Sequence, residues 1–231
     1  MPSARYVHFK PEALAFLGEL SANNNREWFA ANKQRYEQQV LDEALRFIQA
    51  MHDPLKKIAP RFVAMPKRVG GSLMRVYRDT RFSRNKTPYK TNIGIQFRHE
   101  KAKDVHAPGF YVHIAPDEVF LGAGMWHPDP EALAGVRKRI VAKQAEWIRA
   151  RDDGRFRAKF ALAGDSLSRP PKGFSGEHPL IDDLRRKDFI AVRNLDPDAP
   201  LKRDFQKEVE AAFSAAVPFM TFLCKAVGVR Y

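Results

Sequence analysis

At 231 residues, with 44% hydrophobic and 29% charged positions, the chain is long enough to bury a substantial core, and no stretch approaches the ~18 to 20 uninterrupted apolar residues of a membrane span. Its 40 Lys and Arg against 27 Asp and Glu give a net charge of +13, which favours anionic partners, nucleic acid first and phosphorylated small molecules second; a solvated basic surface is the plainer use of the same charge. A single cysteine, Cys224, excludes an internal disulfide, and Met1 to Lys10 carries no apolar leader, so the expectation is one soluble, cytoplasmic domain over 1–231 with Cys224 as a small core residue.

Pro11 suits the first turn of a helix carrying Leu14, Leu17 and Leu20 at helical spacing, and the polar break Asn23-Asn24-Asn25 ends it. Asn25 then caps a second helix from Arg26, whose apolar stripe runs through Trp28, Phe29, Tyr36 and Val40 to Leu55, with Pro54 and Pro60 marking its end. From Val69 the period changes to two, predicting antiparallel strands over Leu73 to Arg78, Ile93 to Phe97, Phe110 to Ile114 and Val119 to Leu121, with a hairpin turn at Pro116-Asp117. A long helix near Pro130 buries Leu133, Val136, Ile140, Trp147 and Ile148 and turns Arg137, Lys138, Lys143 and Arg151 outward. Ser168 to Phe174, rich in Pro and Gly, reads as a loop, Phe189 to Val192 as a further strand, and the chain closes with a helix from about Leu201 that Pro218 kinks or breaks. The fold class is therefore α+β: an antiparallel sheet from the middle of the chain packed against N-terminal and C-terminal helices.

The run from Arg75 to Lys90 places six cations and one carboxylate in sixteen positions, a density that calls for a counter-charge. Strand periodicity puts Arg75, Tyr77 and Asp79 on one face and Met74, Val76 and Arg78 on the other, so Arg78 points coreward and needs a buried partner. Arginine forks match phosphate or carboxylate, which makes Arg75, Arg78, Arg81 and Lys86, with Tyr89, the candidate anion-binding set; Arg75, Arg81 and Lys86 are the better ligand candidates and Arg78 the structural one. Tyr77 and Tyr89 offer faces for stacking on a base. Asp79 is the candidate acid or base, and the competing view is an ion-pair network of Asp79, Arg78 and Arg81 that locks the loop to the sheet.

The pattern Arg75, Arg78, Asp79, Arg81, Phe82, Asn85, Lys86, Tyr89 resembles the bacterial and fungal conserved hypothetical proteins called domain of unknown function 2461. The resemblance extends over nearly the whole chain, through Asn24 to Phe29, Pro108 to Tyr111, Gly122 to Trp126, Pro171 to Phe174 and Leu184 to Phe189. It implies no activity and no catalytic residues.

His113 shares a strand face with Tyr111, and beside a cationic cluster it is expected to hold its proton weakly, as a neutral base would. His99, His106, His127 and His178 lack companions at metal-ligand spacing, so no metal and no cofactor are expected. Gly122-Ala123-Gly124 lacks the third glycine of a dinucleotide fingerprint and is better suited to close passage of backbone or ligand beside Trp126. Arg26 and Lys33 read as surface cations, while Lys172 and Arg185 to Lys187 would join the same groove if the sheet brings them there. Two functions fit: binding of nucleic acid or another phosphorylated ligand through Arg75 to Lys90, or an enzyme acting on a phosphorylated or carboxylated substrate with Asp79 or His113 handling a proton.

Overall fold

A computed structural model describes residues 8–101 and 107–231; the leader reading, in its first seven residues, and His106 lie outside the described residues. Helix α1 (Pro11–Ala22) starts on its proline, where the missing N–H has no helical partner to lose. Asn25 caps α2 (Arg26–Ala31) by accepting from the Trp28 backbone N–H at 2.9 Å, a contact worth about 1 kcal/mol in a helix of this kind. The expected single helix from Arg26 is interrupted at Asn32 and at Met51: α2 is followed by α3 (Lys33–Arg35), a π-helical turn (Tyr36–Leu41) and α4 (Asp42–Ala50), which run on from one another in helical conformation, and then by α5 (His52–Ile58). Pro54 does not end this run: it sits in the first turn of α5, where proline is tolerated, and Pro60 follows the helix end.

The sheet has six antiparallel strands in the order β1 (Phe62–Val63), β2 (Ile93–His99), β3 (Gly109–Ile114), β4 (Val119–Met125), β6 (Phe189–Leu195) and β5 (Ala161–Ala163). The β3–β4 hairpin pairs Ile114 with Val119, and the Ala115 N–H donates to the Glu118 carbonyl across Pro116-Asp117. The short edge strands β1 and β5 carry too few residues to show a period. Leu73 to Arg78 is not a regular strand; only Leu73 bridges to Ile95 and Tyr77 to Tyr89, because the segment leaves the sheet edge after Met74. The alternation survives all the same: Arg75, Tyr77 and Asp79 are exposed while Met74, Val76 and Arg78 are half-buried.

The expected long helix near Pro130 breaks at Lys143 into α6 (Pro130–Ala142) and α7 (Gln144–Arg151), followed by α8 (Gly154–Arg157) and α9 (Ile181–Arg185). Ile148, expected in its stripe, is exposed, and two of its expected outward cations are tied down. Arg137 donates to the carbonyls of Leu184 and Arg186, and Arg151 pairs with Asp152 and Asp183. After a 3-10 turn, α10 (Phe205–Ala215) and α11 (Val217–Ala226) meet at a 52° bend, with Pro218 in the first turn of α11. Among the described residues no single helix is long and apolar enough to cross a membrane.

The core lies on one face of the sheet. Phe97, Phe110, Val112, Leu121 and Ala191 point into a core shared with α1, α4, α10 and α11, where Phe213 lies 4.6 Å from Phe110 between ring centres, and Cys224 is fully buried. The opposite face carries Gly94, Gln96, Tyr111, His113, Phe120, Gly122, Gly124, Ile190 and Val192. That glycine-rich, partly open face and the segment leaving its edge hold the candidate site.

Candidate functional site

The segment from Arg75 to Lys90 folds back on itself as an arm. Its stem is a two-stranded stretch in which the Arg78 N–H donates to the Pro88 carbonyl at 2.9 Å and the Lys90 N–H to the Val76 carbonyl at 2.7 Å. Pro88 holds Thr87 extended, which suits the return strand. The other edge of Tyr89 is taken by Asn24: its carboxamide donates to the Tyr89 carbonyl and accepts from the Tyr89 N–H, both at 3.0 Å. Asn24 thus completes a ladder between the α1–α2 junction and the arm. The Tyr89 ring is buried and stacked on Phe29 at 4.0 Å, so it anchors the arm in the core rather than offering a face for stacking on a ligand.

At the tip, Asp79 and Arg81 form an exposed bidentate pair at 2.7 and 3.0 Å. Hydrogen bonds from the Arg81 side chain and backbone hold the Asp79 carboxyl down at about 2, which makes it a weak base. The expected network of Asp79, Arg78 and Arg81 is only this pair, because Arg78 turns the other way. Lys86 donates to the Thr80 carbonyl at 2.8 Å and closes the tip. Phe82 stands 95% exposed with the Arg81 guanidinium over its ring.

Arg78 points inward and finds a hydroxyl instead of a carboxylate. One guanidinium nitrogen donates to Thr87 Oγ1, and that hydroxyl donates to Asn85 Oδ1 at 2.8 Å, with Asn85 also capping the Thr87 N–H at 2.9 Å. This relay fixes the fork while leaving its charge uncompensated; among the described residues Arg78 has no ion-pair partner. It lines a polar pocket of about 290 Å³ with Ser21, Asn24, Asn85, Thr87, Tyr89, Lys90, Thr91 and Asn92, a lining without a carboxylate that includes Tyr89 of the expected anion-binding set. The cations of the arm thus divide by position. Arg78 and Lys90 face the pocket, whereas Arg75, Arg81 and Lys86 stay on the solvent side of the arm.

A second pocket, of about 460 Å³, lies on the open face of the sheet and shares Lys90 with the first. Gly109, Gly122 and Gly124 form its floor and Met74, Phe120, Trp126, Ile190 and Val192 its walls, with Gln96 and Tyr111 as polar members. Burial and the nearby Arg75 charge lower the Lys90 pKa. The Tyr111 hydroxyl lies 3.2 Å from His113 Nδ1, and Asn92, from the polar pocket, reaches the same nitrogen at 3.4 Å. His113 is stacked on Phe120 at 4.5 Å and lines neither pocket directly. Its pKa is lowered as expected, but by burial; its charged neighbours are the acidic Glu118 and Asp117, which oppose the shift, not the arm's cations.

Sequence reasoning passed over Lys90 as a ligand group, and the pairing of Asp188 with the turn after β4. Asp188, almost fully buried, accepts from the His127 backbone N–H at 2.7 Å and from the Asp165 N–H at 3.0 Å, with His127 Nδ1 3.0 Å away. It fastens the turn that presents Trp126 to the pocket, and His127 adopts φ 46° there. The signal was the bare fact of a carboxylate at the head of a strand, and nothing local tied it to a turn 61 residues earlier. Arg186 donates to the Ala163 carbonyl, and neither Lys172 nor Arg185 to Lys187 lines either pocket. Among the described residues no group of three or more His, Cys, Asp or Glu could hold a metal ion.

These features define a basic α+β protein whose antiparallel sheet is covered by helices on one face and opens into a glycine-floored pocket on the other. The chain belongs to the conserved hypothetical protein family DUF2461, whose family model matches residues 12–222. No curated protein and no solved structure matches it.

Proposed function

We propose that the chain binds a phosphorylated ligand in the polar pocket between the arm and the α1–α2 junction, with Arg78 and Lys90 as the cations that hold the phosphate. The observation that carries this reading is the Arg78 guanidinium, oriented by Thr87 and Asn85 yet unpaired with any described carboxylate, beside a second half-buried cation in a pocket lined by amides and hydroxyls. A charged fork in a partly dry site attracts an anion more strongly than the same fork in water, and bidentate geometry suits phosphate. Calorimetric titration with pyrophosphate tests it. Arg78→Ala and Lys90→Ala are each expected to weaken binding at least tenfold with the circular dichroism spectrum unchanged; affinity unaltered in both variants removes the proposal.

The exposed tip favours a second reading, in which a single-stranded nucleic acid presents the phosphate. Phe82 stands exposed between Arg81 and Arg84, and the ring face not under the Arg81 guanidinium offers a platform for a base, with cations for the flanking phosphates. A single-stranded oligonucleotide then binds at least tenfold more tightly than pyrophosphate, and Phe82→Ala removes the difference. Equal affinity for both ligands sinks this reading and leaves the first intact. An acid–base role for Asp79 gains no support from its pairing with Arg81.

A further inference from the structure

We infer that the glycine-floored pocket on the open sheet face receives the planar aromatic ring of the same ligand, so that the substrate class is phosphate esters bearing a flat heteroaromatic ring, as in a nucleoside monophosphate. The inference rests on the phosphate reading of the polar pocket and adds what the rest of the ligand must be.

The first support is adjacency. Lys90 lines both pockets, and Asn92 of the polar pocket reaches the same His113 nitrogen as Tyr111 of the glycine-floored one. Lys90 thus puts one cation on the lining of both cavities, so that a ligand held there by its phosphate lies next to the second. At about 460 Å³ that cavity falls within the ~300 to 1,000 Å³ of small-molecule sites, and its lining is apolar with a few polar groups, as such sites are.

The second support is the floor. Glycine inside a strand weakens it by roughly 0.5 to 1 kcal/mol relative to alanine, so a run of glycines on one face calls for a reason. One of them has a clear local one: at Gly124 (φ 128°) a Cβ would meet the Phe189 carbonyl oxygen at 2.0 Å. Gly122 is different: its backbone is not left-handed, and a Cβ there would meet only the Tyr111 side chain, at 3.3 and 3.8 Å. A side chain at 122 would press on Tyr111 Cβ and require a shift of a few tenths of an ångström, a milder local constraint than the backbone collision at Gly124. What its missing side chain creates is a flat patch of backbone beside Gly109 and Gly124, facing Trp126 and Phe120, and a flat surface bounded by aromatic rings fits a planar ring better than a puckered or branched group.

Adenosine monophosphate and ribose 5-phosphate are the probes, titrated against the wild-type chain, Gly122→Val and Gly122→Ala. Ribose 5-phosphate carries the phosphate and sugar without the ring. Wild type is expected to bind adenosine monophosphate at least tenfold more tightly than ribose 5-phosphate, with a change in Trp126 fluorescence that ribose 5-phosphate does not produce. Gly122→Val is expected to abolish that preference while leaving ribose 5-phosphate affinity unchanged; Gly122→Ala, a smaller filling, reduces it in part and serves if the valine variant does not fold. Equal affinity for the two probes in wild type, or a preference that survives a folded Gly122→Val, overturns the ring pocket and leaves the phosphate site standing. Failure of both probes to bind overturns the phosphate site, and the ring pocket with it.

Discussion

At the scale of single residues, the site is governed by which polar groups find partners. Arg78 gains a hydroxyl that orients it without neutralising it, whereas Asp79 and Arg81 neutralise each other in water, where such a pair contributes little to stability. His113 shows the same logic in a titrating group. Burial lowers its folded-state pKa below the usual 6.5, so the folded chain binds fewer protons at this site than the unfolded chain does. Its contribution to stability is therefore fully present above about pH 6.5 and is lost as the pH falls towards the lowered folded value. Urea unfolding between pH 8 and pH 5 is expected to show a steeper loss of stability in wild type than in His113→Gln, which keeps a polar side chain but cannot titrate there. Parallel curves for the two proteins would falsify the assignment. The sequence showed His113 on a face with Tyr111; it did not show that the charges around it are acidic, because Glu118 reaches it across the hairpin turn, 3.7 Å from Nε2.

The arm is the element on which the candidate site depends, and its position rests on one side chain from elsewhere in the chain. Asn24 pairs both backbone groups of Tyr89 while the stem pairs the neighbouring residues, so the arm is held on two edges. Asn24→Ala leaves a partly buried N–H and carbonyl without those bonds, which costs about 1 to 3 kcal/mol. Chemical denaturation checks the value, and a change below about 0.5 kcal/mol, the usual range for an uninvolved surface position, would show that the arm is held by the Tyr89–Phe29 stack alone. The alternation through Arg75 to Asp79 was legible because solvent and core enforce it whether or not a regular strand forms. Pro218 likewise announced the bend between α10 and α11, but the breaks at Asn32 and Lys143 were not legible: they interrupt apolar stripes that read as continuous, since a stripe records only which face is buried and not whether the axis bends along it.

For the whole molecule, the excess of cations has two fates that composition does not separate. Arg137, Arg139 and Arg151 are held by carbonyls or carboxylates that fasten one helix to another, and Arg193 of β6 pairs with Glu208 of α10. The arm's Arg75 and Arg84 remain in solvent, where they raise the local potential near the polar pocket. If an oligonucleotide is the ligand, its affinity falls linearly with the logarithm of salt concentration, at a slope set by the number of phosphates these cations neutralise.

The sequence alone determined the α+β class, the hairpin, the Asn25 cap, the burial of Cys224 and the prominence of Arg75 to Lys90, because periodicity, turn chemistry and charge density are local properties of the chain. Only the tertiary structure decided which cations of that segment face a pocket. It turned Arg78 and Lys90 inward and left Arg81 and Lys86 outside, and it set them beside a glycine floor built from β3 and β4. The physical reason is that side-chain alternation assigns a residue to a face, whereas the partner on that face, here Thr87 for Arg78 and Asn24 for Tyr89, comes from the folding back of a chain whose returning register no local pattern records.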